Sequence, residues 1–152
     1  MTEGGLSGSE IHRILDAVDT IETSLGVLAR KATMDRETYL SDPETRDIVE
    51  RRFVKMTEAA IDIGTVLVKH ERGEPPSSNP ETMYVLGDRG VLTETTASEM
   101  AKAARFRNVL AHTYGNVLDH DVVYNALQDL ARYRTFLIEV RVCFDEIDGF
   151  DE

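Results

Sequence analysis

Apolar residues recur at helical spacing along almost the whole chain, and this period decides what it can fold into. From Ile11 the stripe runs through Ile14, Leu15, Val18, Ile21, Leu25 and Leu28, and a second runs through Ile48, Val49, Phe53, Met56, Ala60, Ile63 and Leu67. Steps of three and four residues put each set on one face of an α-helix. A half-buried strand needs strict alternation, and no segment provides it. The punctuation agrees. Ser9 stands where a cap for the first helix is expected, and Asp42-Pro43 supplies a cap and a first-turn proline for the second, which ends near Arg72-Gly73. Pro75-Pro76-Ser77-Ser78-Asn79-Pro80 cannot continue a helix and reads as a loop.

Beyond that loop the pattern predicts a short helix over Glu81 to Leu86, stopped by Gly87 and Gly90. Two long helices follow, about Thr95 to Tyr114 and about Asp119 to Phe144, the last with Val123, Leu127, Leu130, Phe136, Leu137 and Val140 inside. The segment between the first two helices, with Tyr39 and Leu40, reads as a polar connection. The expected fold is all-α, an antiparallel four- to five-helix bundle in one domain over residues 9–146. Residues 1–8 read as a flexible N-terminal tail and residues 147–152 as an acidic C-terminal tail.

Charge narrows the function classes. With 28 acidic and 17 basic residues the net charge is −11, and the basic set is 13 Arg to 4 Lys. Such a surface repels nucleic acid in general, so DNA is not expected as a partner and any RNA site must be a local exception. The acid excess and shortage of Lys suit a high-salt cytoplasm. Cys143 is the one cysteine, which excludes a disulfide framework and a cysteine zinc cluster. No apolar run approaches the roughly 20 residues of a membrane span, so a cytoplasmic protein without a membrane partner is expected.

The local exception lies between Met100 and Leu118, 19 residues without Asp or Glu that carry Lys102, Arg105, Arg107 and His112. At roughly 100° per residue, Phe106, Val109, Leu110, Thr113 and Val117 share a face, read as the core face. Arg107 and Tyr114 share one flank of it, and Asn108 and His112 share the other, within hydrogen-bonding reach of each other. Ala104, Asn108, Ala111 and Gly115 then point away from the core, a surface on which a ligand or second backbone can come close. Arg107 and His112 lie about 140° apart on a straight helix. They grip different parts of a ligand, or the helix loosens near His112, or a second copy of the helix completes the site about a two-fold axis.

Histidine moves protons near neutral pH, and arginine binds phosphate bidentately and stabilises charge developing on it. Together they are the minimum for RNA cleavage without a metal, in which a base activates the 2′-hydroxyl against the adjacent phosphate. Asn108 is placed to orient the imidazole, and Tyr114 to donate to a phosphate or stack on a base. His12, His70 and His120 carry little signal. Arg132, Arg134 and Arg141 either extend a basic strip or pair with the carboxylates around them.

Arg107-Asn108-Val109-Leu110-Ala111-His112-Thr113-Tyr114, followed by Gly115, resembles the R-x4-H-x-Y signature of the HEPN-domain ribonuclease toxins of the HepT type. The likeness extends to Tyr39-Leu40-Ser41-Asp42-Pro43, to Glu58-Ala59-Ala60-Ile61-Asp62-Ile63-Gly64 and to Val91-Leu92. It implies an HEPN-like bundle acting as a homodimer, in which Arg107 and His112 are the catalytic pair, Asn108 supports them, and RNA is cut with no metal or other cofactor. It also implies a toxin of a type VII-like toxin-antitoxin system, whose partner is a nucleotidyltransferase antitoxin of the MntA kind. That antitoxin neutralises the toxin by transferring AMP to the motif tyrosine, here Tyr114. The family often has Asp or Asn between the histidine and the tyrosine, where this chain has Thr113. The alternative is a non-catalytic, nucleotide-binding or regulatory partner of a nucleotidyltransferase, with Arg107 holding a nucleotide phosphate.

Overall fold

The computed structural model describes residues 5–112 and 119–147, and among these every regular element is helical. The described residues form seven helices: α1 (Gly8–Lys31), α2 (Arg36–Leu40), α3 (Pro43–Arg72), α4 (Asn79–Asp88), α5 (Glu94–His112), α6 (His120–Leu127) and α7 (Ala131–Glu146). The four long ones, α1, α3, α5 and α7, make the bundle. The all-α bundle read from the sequence is the fold observed; α4 is the short helix expected after the proline loop, and α2 and α6 are two short helices the sequence reading did not separate.

The helix starts follow from short-range chemistry. Ser7, two residues before the expected Ser9, caps α1: its Oγ accepts from the Glu10 N–H at 3.1 Å, and Glu10 Oε1 accepts from the Ser7 N–H at 2.9 Å. Only Ser7 has an acid three residues on to close this reciprocal box. Asp42 caps α3, accepting from the Thr45 hydroxyl at 2.8 Å and the Thr45 N–H at 3.3 Å. Those bonds hold its carboxyl below the usual range. At the far end Gly73, at φ 86°, takes the left-handed turn that releases the chain into the proline loop.

Helix α3 is the axis of the core. Its Val49, Phe53, Met56, Ile63 and Leu67 are buried, as are Ile14, Ile21 and Leu28 of α1, the helix it packs on most extensively. On other sides it meets α4 and α5. Leu6, just before α1, and Ile147, just after α7, are also buried.

Three expectations need correction. The connection after α1 is not simply polar: Asp35 caps α2, and Tyr39 on that helix is fully buried with its ring 5.4 Å from that of Tyr124. Gly87 does not stop α4 but lies within it, because α5 crosses there; a Cβ at Gly87 would stand 2.8 Å from the Ala97 Cβ. The long final helix is two helices, interrupted at residues 128–130. The break leaves the Gln128 side chain free to donate to the Ala32 carbonyl at 3.1 Å and lets the Tyr124 hydroxyl donate to Met34 O at 2.8 Å. Thus α6 is tied to the α1–α2 corner while α7 packs on α5. No glycine or proline marks this interruption; tertiary hydrogen bonds outweigh the helical preference of the segment.

Candidate active site

Helix α5 carries the motif, and its placement rests on a buried cluster. Phe106 meets Phe53 of α3 edge to face, with centroids 5.7 Å apart and planes at 78°. Phe53 in turn contacts Tyr133 of α7, whose hydroxyl is 2.6 Å from Thr57 Oγ1. Burial pushes the Tyr133 phenol up to about 12, so it stays neutral and serves as a hydrogen-bonded strut.

Directly after Phe106, Arg107 is drawn back over α3. Its Nη2 donates to Glu58 Oε2, and its Nη1 donates to Asn108 Oδ1 at 3.1 Å. The Arg107 side chain is only 20% exposed, and its buried Nε meets no acceptor among the described residues. Asn108 therefore engages the arginine, where the helical spacing suggested that it orients the imidazole. Glu58 is the residue that sequence reasoning missed as a partner. It lies 49 positions away and off the apolar stripe of α3, and only its place in the family-like stretch marked it.

His112 is the last residue of α5 and is exposed. The helix is regular from Arg107 to His112, so the two side chains leave it about 140° apart and roughly 7.5 Å apart along the axis. Loosening of the helix before His112 is thereby removed from the three explanations for their separation. Tyr114, with Thr113 and Gly115, lies outside the described residues.

The face assignment on this helix needs correction as well. Ala104, read as outward, is fully buried with Ala97, Met100, Ala101 and Ala103, whereas Val109, read as core, is 51% exposed. The small residues do permit close approach, but the helices that approach are this chain's own α3, α4 and α7. What faces outward near the motif is Val109 together with His112.

The other cations of the carboxylate-free window have partners outside it. Lys102 pairs with Glu99 at 3.2 Å, and Arg105 lies over the Tyr84 ring, 5.9 Å from its centroid. Of the arginines on the last helix, Arg132 pairs with Glu99 and Asp129 and Arg141 with Glu22; these two are paired rather than a free basic strip. On the return from the motif, His120 Nδ1 stands 3.5 Å from Glu50 Oε2, and Arg36 pairs with Asp121. Both contacts fix the start of α6. No helix among the described residues is long and apolar enough to cross a membrane.

A guanidinium held by a carboxylate and an amide, on the same helix as an exposed imidazole, can bind a phosphodiester and move a proton beside it. Comparison with known proteins identifies the family. The family model described as "Ribonuclease HepT-like" matches residues 14–140. The tRNA nuclease HepT of Aphanizomenon flos-aquae (strain 2012/KM1/D3) is 30% identical over 114 residues, which span 70% of this chain and 77% of that protein. Among solved structures, a toxin–antitoxin complex with AMP-PNP superposes with a TM-score of 0.78 at 20% identity, covering 86% of this chain and 98% of the other. The tri-AMPylated Shewanella oneidensis HEPN toxin in complex with its MNT antitoxin gives 0.77 at 21%, covering 86% and 97%. At those identities the structures speak for the fold, while the family match and the curated relative together establish that this chain belongs to the ribonuclease HepT-like family.

Proposed function

We propose that this protein is the toxin of a toxin-antitoxin pair, an endoribonuclease that cuts RNA without a metal ion, with Arg107 and His112 as its catalytic residues. The observation that carries the reading is their arrangement. Arg107 is braced by Glu58 and Asn108, and His112 is exposed five residues on along an unbroken helix, in a chain whose family match spans both. Side chains about 140° apart on one helix converge poorly on one atom. A second copy turned about a two-fold axis solves this, because each Arg107 then faces the partner's His112 across a shared cleft. The exposed Val109 supplies apolar surface for that contact.

In the reaction, neutral His112 takes the proton of a ribose 2′-hydroxyl, whose oxygen attacks the adjacent phosphorus. Arg107 stabilises the added negative charge on the phosphoryl oxygens as the 5′-oxygen departs and takes up a proton from water. The products are a cyclic 2′,3′-phosphate and a 5′-hydroxyl. A general base and a cation suffice for these steps. Asn108 acts by holding the guanidinium.

The relative named as a tRNA nuclease supports RNA, and tRNA in particular, as the substrate class. The complexes of similar fold support a nucleotidyltransferase antitoxin as the partner and AMP transfer as the means of neutralisation. In this chain the acceptor is Tyr114: its phenol oxygen attacks the α-phosphorus of ATP, and pyrophosphate leaves. The adenylate adds charge and bulk two residues from His112, repelling incoming phosphate.

The test is incubation of unmodified protein, verified by intact mass, with total RNA in EDTA across a salt series, beside His112→Ala. Cleavage by the wild type alone is expected. RNA left whole by the wild type at every salt concentration would sink the catalytic reading and favour a nucleotide-binding partner.

A further inference from the structure

The outer face of α7 carries a second apolar surface, remote from the motif. Ile138 and Val142, one turn apart, are 66% and 57% exposed, the two highest values among the large apolar side chains described. Beside them runs an open groove of about 580 Å³ between α1 and α7, floored by Leu25 and Leu137 and bordered by Arg134 and Asp145. The Thr93 N–H donates to Glu139 Oε1 at 2.9 Å, so this half of α7 lies against the start of α5. His112 is nineteen residues away, about 28 Å along that helix. A cleft formed at His112 leaves the α7 face uncovered.

Charge identifies what fits there. Arg134 and Asp145 have no ion-pair partner among the described residues, whereas neighbouring Arg141 is bound to Glu22 at 3.7 Å. The two are eleven residues apart, which returns to within about 20° of the same helix face after roughly 16 Å. The face thus presents a free cation at one end, Ile138 and Val142 beside the Glu22-bound Arg141 in the middle, and a free anion at the other. We infer that α7 pairs antiparallel with the α7 of a second copy of this chain, about a two-fold axis midway between residues 139 and 140.

In that register Arg134 lies level with the partner's Asp145, and the reverse, so two ion pairs close the ends. Ile138 falls within about 5 Å of the partner's Ile138 along the axis, beside the apolar groove. A parallel pairing is excluded by the same charges, since it would set Arg134 against Arg134 and Asp145 against Asp145. The contact is independent of the cleavage reading. Where a motif-centred dimer also forms, α7 joins dimers into a larger assembly.

The experiment is sedimentation velocity and light scattering on the full chain at its highest soluble concentration, with circular dichroism to check folding. Arg134→Asp gives a copy with two acids on this face, and Asp145→Arg a copy with two bases. Each variant alone is expected at half the wild-type mass, and an equimolar mixture is expected to return to the wild-type mass, because each acidic copy then meets a basic one. The inference is overturned if wild type and both single variants share one mass, or if the mixture stays at the halved mass. It is equally overturned if Ile138→Glu leaves the mass unchanged but abolishes the complex with a nucleotidyltransferase antitoxin, which would assign the face to that partner.

Discussion

Arg107 on α5 donates to Glu58 on α3, a contact between residues 49 positions apart that fixes the motif arginine before any substrate arrives. The pair is partly exposed, Glu58 at 47%, so it contributes little to stability. Its value lies in holding the guanidinium in one place. Glu58→Ala is expected to lower the single-turnover rate of RNA cleavage by about 10- to 100-fold, the scale of a small misplacement of a catalytic group. The melting temperature should barely change. Glu58→Gln, which keeps an acceptor, should lose less. An unchanged rate in Glu58→Ala would show that Arg107 needs no brace.

Tyr114 is expected to be the acceptor of AMP. Incubated with ATP and a cognate nucleotidyltransferase, the wild type should gain adenylate mass and lose cleavage together. Tyr114→Phe should do neither, retaining near wild-type cleavage. Intact-mass analysis and an RNA gel on the same samples decide it, and adenylation of Tyr114→Phe would move the acceptor elsewhere.

Gly87 marks a crossing point of α4 and α5, where an added Cβ would meet Ala97 at 2.8 Å. Gly87→Ala should therefore destabilise the fold by about 1–3 kcal/mol, the usual cost of overpacking a close helix contact. Removing the opposing methyl with Ala97→Gly should recover part of that loss. Chemical denaturation of the two single variants and the double variant measures the coupling.

Glu50 supplies a pH test of the α3–α6 contact. Burial raises its carboxyl above the ordinary value and Asp47 adds to the effect, while His120 and Arg46 oppose it. A carboxyl raised on folding stabilises the fold fully below its unfolded value near 4.5, and that contribution is lost as pH rises through the folded value. Glu50→Gln should accordingly melt higher than wild type at about pH 8, with the gain shrinking towards about pH 4. A lower melting temperature at pH 8 would mean that pairing with His120 outweighs desolvation.

The parts of this fold that were legible in the sequence are those governed by neighbours a few residues apart. Asp42-Pro43 and Gly73 bound α3 as expected because capping is local chemistry. The same logic singled out Arg107, Asn108 and His112 as candidates, and their order along one helix was the signal. The break between α6 and α7 was not legible, since its cause is hydrogen bonds from Gln128 and Tyr124 to Ala32 and Met34, some 90 positions away. The burial of Ala104 was misread because alanine serves equally on a solvated face and in a tight helix crossing. Glu58 escaped for a third reason: a surface carboxylate on a long helix announces nothing until the fold brings an arginine to it.

In the proposed dimer two copies of α5 build one cleft, with Arg107 from one acting beside His112 from the other. The most direct measurement is complementation in EDTA: Arg107→Ala and His112→Ala are each assayed alone on RNA, then mixed after a brief unfolding and refolding step so that copies exchange. Two inactive proteins are expected, and a mixture that regains cleavage, with cyclic-phosphate and 5′-hydroxyl ends, through the one composite site that keeps both residues. Either variant cutting as fast as wild type, or a verified mixed dimer that leaves RNA whole, would contradict it.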